Sequence, residues 1–310
     1  KDLTHLTIEN CGLKSIDGIE GFTRLRYLKL CKNEIVSVPS SIGELKSLES
    51  LDMSSNDARL KSLPPAFYTL TNLKYLKISS VAIDSILFPQ FTRLKTLVAM
   101  KCTFTNDHHN VFGTFTELET LILAFTRMAN FPKSILALEK LQILNMGYTN
   151  IGNLPSKIKK LKNLVVLNVK SCELISIHKN VTRLPALQTL DASDNYINTI
   201  PTSMYHLQVK RLNLSTNLIE KVSEKIQHFE KMEHLDLSSN LIRYLPEGMT
   251  GLSALKTLNV SHNDLKYISP SLARMDRLEC CNLRGNEDLI VNGMVFDTDI
   301  FEVDYDNLID

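Results

Sequence analysis

The sequence Asp107-His108-His109 contains the side chains best suited to chemistry in this chain. Two imidazoles and a carboxylate can together hold a metal ion. Adjacent histidines rarely point at one site, however, and the surrounding segment, TNDHHNVFGTF, departs from the local pattern as an irregular loop does. We therefore interpret the cluster as a solvated loop and predict no metal site.

Two further groups of reactive side chains lack a catalytic arrangement. Cys280 and Cys281 are adjacent, so on a strand they point to opposite faces. The tail carboxylates Asp297, Asp299 and Glu302 lack the glycine and the spacing of a calcium loop. The sequence also lacks GxGxxG, a Walker lysine loop, HExxH, GxSxG and CxxC. We predict no catalytic residue, no cofactor and no enzymatic activity.

Length, composition and net charge limit the classes of protein to which the chain can belong. The chain has 310 residues, 44% of them hydrophobic and 22% charged, which is typical of folded proteins. The net charge of +1 provides no general electrostatic case for nucleic acid or an anionic membrane as the partner. The chain begins Lys1-Asp2-Leu3, without an initiator methionine, which favours a processed chain or a fragment.

A repeat organises the sequence. Thirteen copies of the pattern LxxLxLxxNxLxxLPxxIxxL follow one another, mostly 23 residues apart. They begin at Leu3, Leu25, Leu48, Leu73, Leu94, Leu118, Leu141, Leu164, Leu187, Val209, Met232, Leu255 and Leu278. No single copy can bury its apolar side chains alone, so the copies must stack and share one core.

Each part of the repeat has a structural role. The xLxLx core alternates as a short strand does, and successive strands form a parallel sheet whose return path is the LPxxIxxL segment. The ninth position is most often Asn, whose amide can bond backbone groups at the turn. Val81 occupies that position in the fourth copy and cannot do so. We therefore predict irregular structure around residues 81 to 112.

This pattern resembles the leucine-rich-repeat family, and its LPxxIxxL segments resemble those of intracellular Ras-group and Scribble-type proteins. The resemblance implies an α/β fold: a right-handed solenoid, or arc, with a parallel sheet on the concave face and short helical or irregular convex segments. We place the repeat domain at residues 1–290, with thirteen repeats. Residues 291–310 form an acidic segment, interpreted either as a cap over the last repeat or as a linker to another domain.

Cysteine use favours a reducing compartment. Three cysteines occupy the ninth position of their repeats as small inward residues, and no terminal cysteine clusters of the secreted type are present. Asn180, Asn213 and Asn259 begin glycosylation sequons, two of them on outward strand positions, where glycans would crowd the sheet. We predict a cytoplasmic protein and interpret the sequons as chance.

Apolar residues replace polar ones on the outward strand positions of repeats five to eight. Such a patch on a soluble protein usually marks an interaction site. The predicted apolar contacts are Val98, Met100, Ile122, Ala124, Phe125, Ile143, Tyr148 and Val166. The alternative is that these residues pack against the irregular segment or another domain.

A basic flank lies beside this patch in repeats two to five. Its predicted contacts with a partner are Lys29, Tyr75, Lys77 and Lys101. A basic, tyrosine-bearing flank next to an apolar centre fits a protein partner with acidic and apolar anchor residues.

Three functions are consistent with this reading. We favour a non-catalytic protein-binding module or scaffold in intracellular signalling that holds its partner on the concave face. The chain is alternatively a regulatory segment of a larger signalling enzyme, such as a PP2C-type phosphatase, a kinase or an adenylyl cyclase. The cysteine pattern disfavours a third function, that of a surface receptor ectodomain.

Overall fold

A computed structural model describes residues 2–56, 60–84, 88–105, 108–290 and 299–303 of the chain. The chain divides into two compact units, residues 1–149 and 150–310. Each unit is described separately below.

The first unit contains one main parallel sheet. Its seven strands are ordered β1-β2-β3-β4-β6-β8-β9, and β5 pairs with β7 in a second, two-stranded parallel sheet. The strands are β1 His5–Thr7, β2 Tyr27–Lys29, β3 Ser50–Asp52, β4 Tyr75–Ser79, β5 Ala82–Asp84, β6 Thr96–Met100, β7 Thr103–Thr105, β8 Thr120–Ile122 and β9 Ile143–Asn145. The return segments form short 3-10 helices at Ile19–Gly21, Ser40–Glu44, Pro65–Thr69, Phe88–Gln90, His108–Thr114 and Lys133–Ala137.

The second unit repeats the same arrangement. Its strands run in parallel in the order of the sequence, from β10 to β16. They are β10 Val166–Asn168, β11 Thr189–Asp191, β12 Arg211–Asn213, β13 His234–Asp236, β14 Thr257–Asn259, β15 Cys280–Asn282 and β16 Phe301–Glu302. The 3-10 helices are Ser156–Lys160, Lys179–Arg183, Thr202–His206, Glu224–His228, Glu247–Gly251 and Pro270–Arg274.

The core lies between the strands and the return segments of each unit. Leu121 and Leu123, the two inward residues of one strand repeat, are completely buried, as is Ile135 of the following 3-10 helix. Pro132 precedes that helix in an extended conformation, and its restricted φ fixes the start of the return segment. Burying one such side chain contributes about 1.5–3 kcal/mol, so stacked repeats stabilise one another. The predicted leucine-rich-repeat architecture, a parallel sheet with short return segments, is confirmed within each unit.

The asparagines at the ninth position tie neighbouring repeats together. Asn195 is buried, and its Oδ1 accepts hydrogen bonds from the backbone N–H of Cys172 and Leu174 at 3.0 and 2.9 Å. Its Nδ2 donates to the carbonyls of Val169 and Ala192, both at 3.0 Å. One amide therefore satisfies backbone groups of two repeats at a turn that leaves them otherwise unpaired.

The eighth position of the repeat is left-handed throughout. All thirteen residues there, from Asn10 to Gly285, have φ between 50° and 70°. This region is sterically unfavourable for residues other than glycine and is best tolerated by Asn, Asp and His. The tight turn between the strand and the buried ninth side chain imposes this conformation on whichever residue the sequence places there.

The predicted irregularity around residues 81 to 112 is present in the described part of that segment. Sheet β5–β7 is an addition found only there in the described chain, and the core beneath it is aromatic. The rings pack edge to face, with Phe88 5.5 Å from both Phe91 and Phe115 and Phe104 5.5 Å from Phe112, measured between centroids. Such pairs contribute about 0.5–1.5 kcal/mol beyond their buried area.

The acidic tail contributes the last strand. Within the described residues 299–303, β16 pairs in parallel with β15, and Phe301 is buried. These contacts are those expected of a cap, whereas Phe296 and Asp297 lie outside the described residues. The domain boundary at residue 290 remains a prediction.

Candidate functional site on the strand face of the first unit

The strand face is the side of the first unit's sheet that points away from the core. Register places Val98 beside Ile122 and Ile122 beside Asn145 in one row of side chains. Thr120 and Ile143 are partners in a second row, and Ser79 and Met100 in a third. Because neighbouring strands are about 4.8 Å apart, side chains in one row contact their neighbours.

The predicted apolar residues on this face differ in accessibility. Phe125, Ile143 and Tyr148 are exposed at 43%, 36% and 42%. Met100 and Ile122 are half-buried. Val98 and Ala124, by contrast, are buried at 8% and 5%, so they offer a partner little surface. The accessible part of the patch therefore centres on the two aromatic rings.

The two rings form a stack at the left-handed position. Phe125 and Tyr148 occupy the eighth position of consecutive repeats, both with φ of 60°. Their ring centroids are 4.3 Å apart and the planes differ by only 6°. The Nζ of Lys101, which occupies the same position one repeat earlier, lies 5.5 Å from the Phe125 centroid. This distance is within the range of a cation–π contact.

The backbone beneath the stack is held firmly. The N–H of Lys101 donates to the carbonyl of Ala124 at 3.0 Å, and that of Phe125 donates to Gly147 at 2.9 Å. The following residues, Thr126 and Thr149, are buried and donate their hydroxyls to the Ala99 and Met146 carbonyls at 3.0 and 2.6 Å. The rings are therefore presented by a rigid turn, at low entropic cost to binding.

The basic flank is largely paired with acidic residues of the same unit. Lys29 and Lys32 both contact Glu9, at 2.6 and 3.1 Å between Nζ and the carboxylate oxygens. Lys77 lies 3.8 Å from Asp52. The flank has more basic than acidic side chains, but these ion pairs make its positive electrostatic potential weaker than the number of lysines indicates.

The same pairing occurs along the edge of the face. The carboxylate of Glu49 accepts from Arg26 at 2.5 Å and from Lys74 at 2.8 Å. Lys95 approaches Glu119 at 3.2 Å. These charges bridge successive repeats, whereas the Lys101 ammonium lies over an aromatic ring.

These contacts shift the pKa values of the flank. Hydrogen bonds from Lys29 and Lys32 lower the pKa of Glu9 from 4.5 to about 2. Lys74 and Arg26 likewise lower the pKa of Glu49. Burial, followed by the nearby Asp52 charge, raises the pKa of the half-buried Tyr75. At neutral pH the face therefore carries ionised ion pairs and a neutral tyrosine.

The remaining predicted positions lie elsewhere. Val166 is half-buried and belongs to the second unit. Asp107 lies outside the described residues, and the side chains of His108 and His109 are likewise not described. Among the described residues, no group of three or more His, Cys, Asp or Glu side chains is arranged to hold a metal. The described helices are all too short to cross a membrane.

Two features of the site were not anticipated from the sequence. The first is the left-handed position itself, which places the rings of Phe125 and Tyr148 face to face rather than side by side along a strand. The second is the pairing of the lysines with Glu9 and Glu119. Both could have been found from the sequence by aligning the repeats and comparing the residues at the eighth position and at the outward strand positions.

Comparison with known proteins identifies the family. A profile described as "Leucine-rich repeat region" matches residues 2–125 and 78–190, and one described as "Leucine rich repeat" matches residues 208–265. The chain belongs to the leucine-rich-repeat family. The finer assignment to its intracellular Ras-group or Scribble-type branch remains a prediction.

Individual members of the family resemble the chain over different lengths. A stretch of 102 residues, 33% of the chain, is 32% identical to Toll-like receptor 4 of Bos taurus. The fold is similar to that of a leucine-rich-repeat protein of Leptospira interrogans, with a TM-score of 0.80 and 25% identity over 99% of this chain and 81% of that one. It is also similar to the plant peptide hormone receptor RGFR1, solved in complex with RGF2, with a TM-score of 0.74 and 22% identity over 93% of this chain and 50% of the receptor.

The match to Toll-like receptor 4 spans 12% of that receptor's length. The leucine-rich-repeat fold supports a protein–protein interaction module in general, and members of the family typically bind rather than catalyse.

Proposed function

We propose that the chain is a non-catalytic protein-interaction module of a cytoplasmic signalling or scaffolding protein. It binds a partner that has acidic and apolar anchor residues, on the strand face of the first unit. The observation that carries this proposal is the series Lys101, Phe125 and Tyr148, in which two exposed aromatic rings are stacked at a sterically unfavourable backbone position beside a cation.

The cost of this arrangement favours a role in binding. Left-handed backbone costs roughly 1–2 kcal/mol for residues other than glycine, and bulky side chains are rare there. The rings fill no space in the core, because more than two fifths of each remains exposed. Aromatic side chains held rigidly at a surface are typical anchors of protein interfaces.

The chemistry of the stack indicates the kind of partner. Lys101 and Tyr148 lie on either side of the Phe125 ring, so its edge is directed to solvent. Ring edges carry partial positive charge and attract aromatic faces and electron-rich groups. A segment with an aromatic or aliphatic anchor and a carboxylate near Lys101 complements this surface.

A quantitative capture experiment tests the proposal. Immobilised wild-type chain is compared with the double variant Phe125→Ser/Tyr148→Ser and with a matched control, Ser239→Ala, at the equivalent position of the second unit. Proteins retained from a cytosolic extract are quantified by mass spectrometry. We expect at least one protein to be retained by wild type and control and lost from the double variant; identical retention by all three would overturn the proposal.

The proposed compartment has separate support. All six cysteines are free thiols in the structure. The side-chain nitrogens of two of the three sequon asparagines are already engaged, since Nδ2 of Asn180 donates to the Ser156 carbonyl at 2.6 Å and Nδ2 of Asn259 lies 3.4 Å from the Asp236 carboxylate. A glycan would replace a hydrogen on each nitrogen and crowd these contacts. We expect endoglycosidase treatment to leave the mass of the native protein unchanged.

The similarity to receptor proteins favours one second candidate, the ligand-binding segment of a surface receptor. The 32% identity with Toll-like receptor 4 over 102 residues is the observation behind it. Glycosidase-sensitive mass at Asn180, Asn213 or Asn259 would support this candidate and overturn the cytoplasmic assignment. The strand-face proposal would still be tested by the Phe125→Ser/Tyr148→Ser comparison.

A further inference from the structure

A second exposed apolar surface lies in the second unit, outside the sheet. It consists of two rows of side chains on the loops that follow the strands of repeats nine to thirteen. We call it the loop surface; its residues are Tyr196, Leu218, Leu241, Tyr244, Tyr267 and Ile290, which are between 41% and 62% exposed.

Each residue of the first row directly follows a buried asparagine of the ninth position. Tyr196, Leu218 and Leu241 occupy the tenth position of three consecutive repeats. Adjacent segments are joined by backbone bonds, from Leu218 N–H to the Ile197 carbonyl and from Leu241 N–H to the Ile219 carbonyl, both at 2.9 Å. The three side chains therefore follow one another at the spacing of hydrogen-bonded strands, about 4.8 Å.

The second row continues where the first one ends. Tyr244 pairs in parallel with Tyr267, and Tyr267 pairs with Ile290, as isolated β-bridges. Leu241 and Tyr244 lie three residues apart on one segment, so the two rows share repeat eleven. Several exposed apolar side chains on neighbouring loops of one unit form a cluster of the kind that usually marks an interaction site.

Acidic side chains outnumber basic ones on the segments that carry the loop surface. The segments that carry its residues contain six carboxylates, from Glu220, Glu224, Glu247, Asp264, Glu287 and Asp288. The same segments contain four cations, Lys221, Lys225, Arg243 and Lys266, of which Lys266 is ion-paired with Asp288.

A groove lies beside Tyr244 in this acidic setting. It has a volume of about 370 Å³, and its lining includes Glu220, Lys221, Glu224 and Glu247. One oxygen of Glu224 accepts from the Gly248 N–H at 2.7 Å, which fixes this carboxylate at the edge of the groove. An aromatic ring beside several carboxylates is well suited to a Lys or Arg side chain, through cation–π and charge-assisted contacts.

We propose that the loop surface docks a basic segment of a partner protein, with Lys or Arg beside Tyr244 and aliphatic or aromatic side chains along the two rows. This partner is opposite in charge to the one proposed for the strand face of the first unit. The two proposals are independent, since they rest on different units and different residues.

Selection from a phage-displayed random peptide library tests this inference. The intact chain is compared with Tyr244→Ser/Tyr267→Ser, and Phe125→Ser/Tyr148→Ser controls for the strand face. We expect peptides enriched in Lys, Arg and apolar residues that bind wild type and the strand-face variant but not the tyrosine-to-serine variant. A synthetic peptide of the selected sequence should bind at least tenfold more weakly to Tyr244→Ser/Tyr267→Ser.

Further variants separate charge, ring and folding effects. Glu220→Gln/Glu247→Gln should weaken the same peptide several-fold at low salt and less at high salt, because screening removes the charge contribution. Tyr244→Phe/Tyr267→Phe should retain binding because both rings are kept. Leu218→Ser/Leu241→Ser provides a second disruption of the surface, should the tyrosine variant show an altered circular dichroism melt.

Three outcomes would overturn the inference. One is a selection that yields no peptide able to distinguish wild type from Tyr244→Ser/Tyr267→Ser and from Leu218→Ser/Leu241→Ser. Another is a set of distinguishing peptides that is acidic rather than basic. The third is a dimer in sedimentation experiments that these variants abolish, which would assign the surface to a second copy of the chain.

Discussion

Repeats six and seven differ from repeats ten and eleven in side chains but hardly in backbone. The eighth-position residues Phe125 and Tyr148 have φ of 60°, and their counterparts Thr216 and Ser239 have 54° and 53°. The backbone bonds also match, at 2.9 Å from Phe125 N–H and 2.8 Å from Thr216 N–H to the next repeat. The fold therefore accepts a small polar residue at this position and does not require an aromatic one.

The outward-facing strand residues also differ between the two regions. In repeat eleven, Oδ1 of Asp236 accepts from both the N–H and the hydroxyl of Ser238, at 2.9 and 2.6 Å. The equivalent positions of repeat six are Ile122 and Ala124. The polar pair completes its own hydrogen bonds within one strand, whereas the apolar pair makes none, and its half-buried member Ile122 leaves surface for another molecule to cover.

The largest effect is expected at the ninth position of the repeat, where both regions carry a buried polar residue. Asn217 is buried, its Oδ1 accepts from Ile197 N–H at 2.9 Å, and its Nδ2 donates to the Ala192 and Leu214 carbonyls at 3.0 Å. Replacement by leucine leaves these groups unsatisfied, at about 1–3 kcal/mol for a buried group. We expect Asn217→Leu to lower the free energy of unfolding by about 3 kcal/mol in urea denaturation.

The matched control for the ladder is Ser239→Ala, a substitution at an exposed position of the next repeat. It should change the free energy of unfolding by less than about 0.5 kcal/mol. Equal urea midpoints for the two variants would mean that the asparagine amide does not stabilise the array.

The second prediction moves the aromatic pair between the two regions. Phe125→Ser/Tyr148→Ser should weaken partner binding at least tenfold while changing the free energy of unfolding by no more than about 1 kcal/mol, because the stack is exposed. The reciprocal change, Thr216→Phe/Ser239→Tyr, should fold but not bind the same partner. It places rings on the second unit without a lysine beside them or Ile122 nearby.

Isothermal titration of the purified partner and thermal denaturation measure the two effects separately. A loss of folding in Phe125→Ser/Tyr148→Ser would show that the rings stabilise the unit itself. Gain of binding by the reciprocal variant would show that the rings alone suffice, and the surrounding patch would then lose its proposed role.

The repeat made the architecture predictable, because every copy shows the same pattern of inward and outward residues. The buried ladder of Asn195 and Asn217 and the inward Leu121 and Leu123 follow directly from the alignment of copies. The irregular segment was predictable in place but not in form. Nothing in the strand pattern indicates that Ala82–Asp84 and Thr103–Thr105 would pair as a second sheet.

The candidate site was less predictable, since alternation fixes the direction of a side chain but not its exposure. Val98 and Ala124 point outward by position yet are buried, with exposures of 8% and 5%. Tyr196 and Tyr244 were missed because they lie on loops, outside the strand columns. Charge pairing was underestimated because Glu9 and Lys29 lie 20 residues apart and meet only when the repeats are stacked.

The third prediction compares two lysines of the first unit. Lys101 lies over the Phe125 ring, whereas Lys29 is already paired with Glu9. We expect Lys101→Met to weaken partner binding about threefold to fivefold, because it removes the proposed contact with a partner carboxylate, which contributes up to about 1 kcal/mol at an exposed site. Lys29→Met should weaken it less than about twofold, because exposed paired charges contribute little. Equal losses would indicate that the flank acts through its overall field rather than through the stack.

The smallest expected effect is on the titration of Glu9, whose ion pairs with lysines partly neutralise the charge of the basic flank. The pKa of Glu9 lies at about 2, lowered from 4.5 mainly by Lys29 and then by Lys32. Because the folded-state pKa is depressed, the stabilisation from this pair is present above pH 4.5 and is lost as the pH falls through about 2. An NMR titration that follows the Glu9 side-chain carboxyl carbon should therefore show a midpoint near the lower value.

Removing both partners should reverse this shift. In Lys29→Met/Lys32→Met the Glu9 midpoint should rise towards 4.5, while that of Glu233, whose pKa is lowered by Lys210 in the second unit, should stay in place. A wild-type Glu9 midpoint already near 4.5 would mean that the lysines are not held by the carboxylate in solution. The flank would then present more positive charge to a partner than the paired geometry allows, and Lys29 would become as important as Lys101.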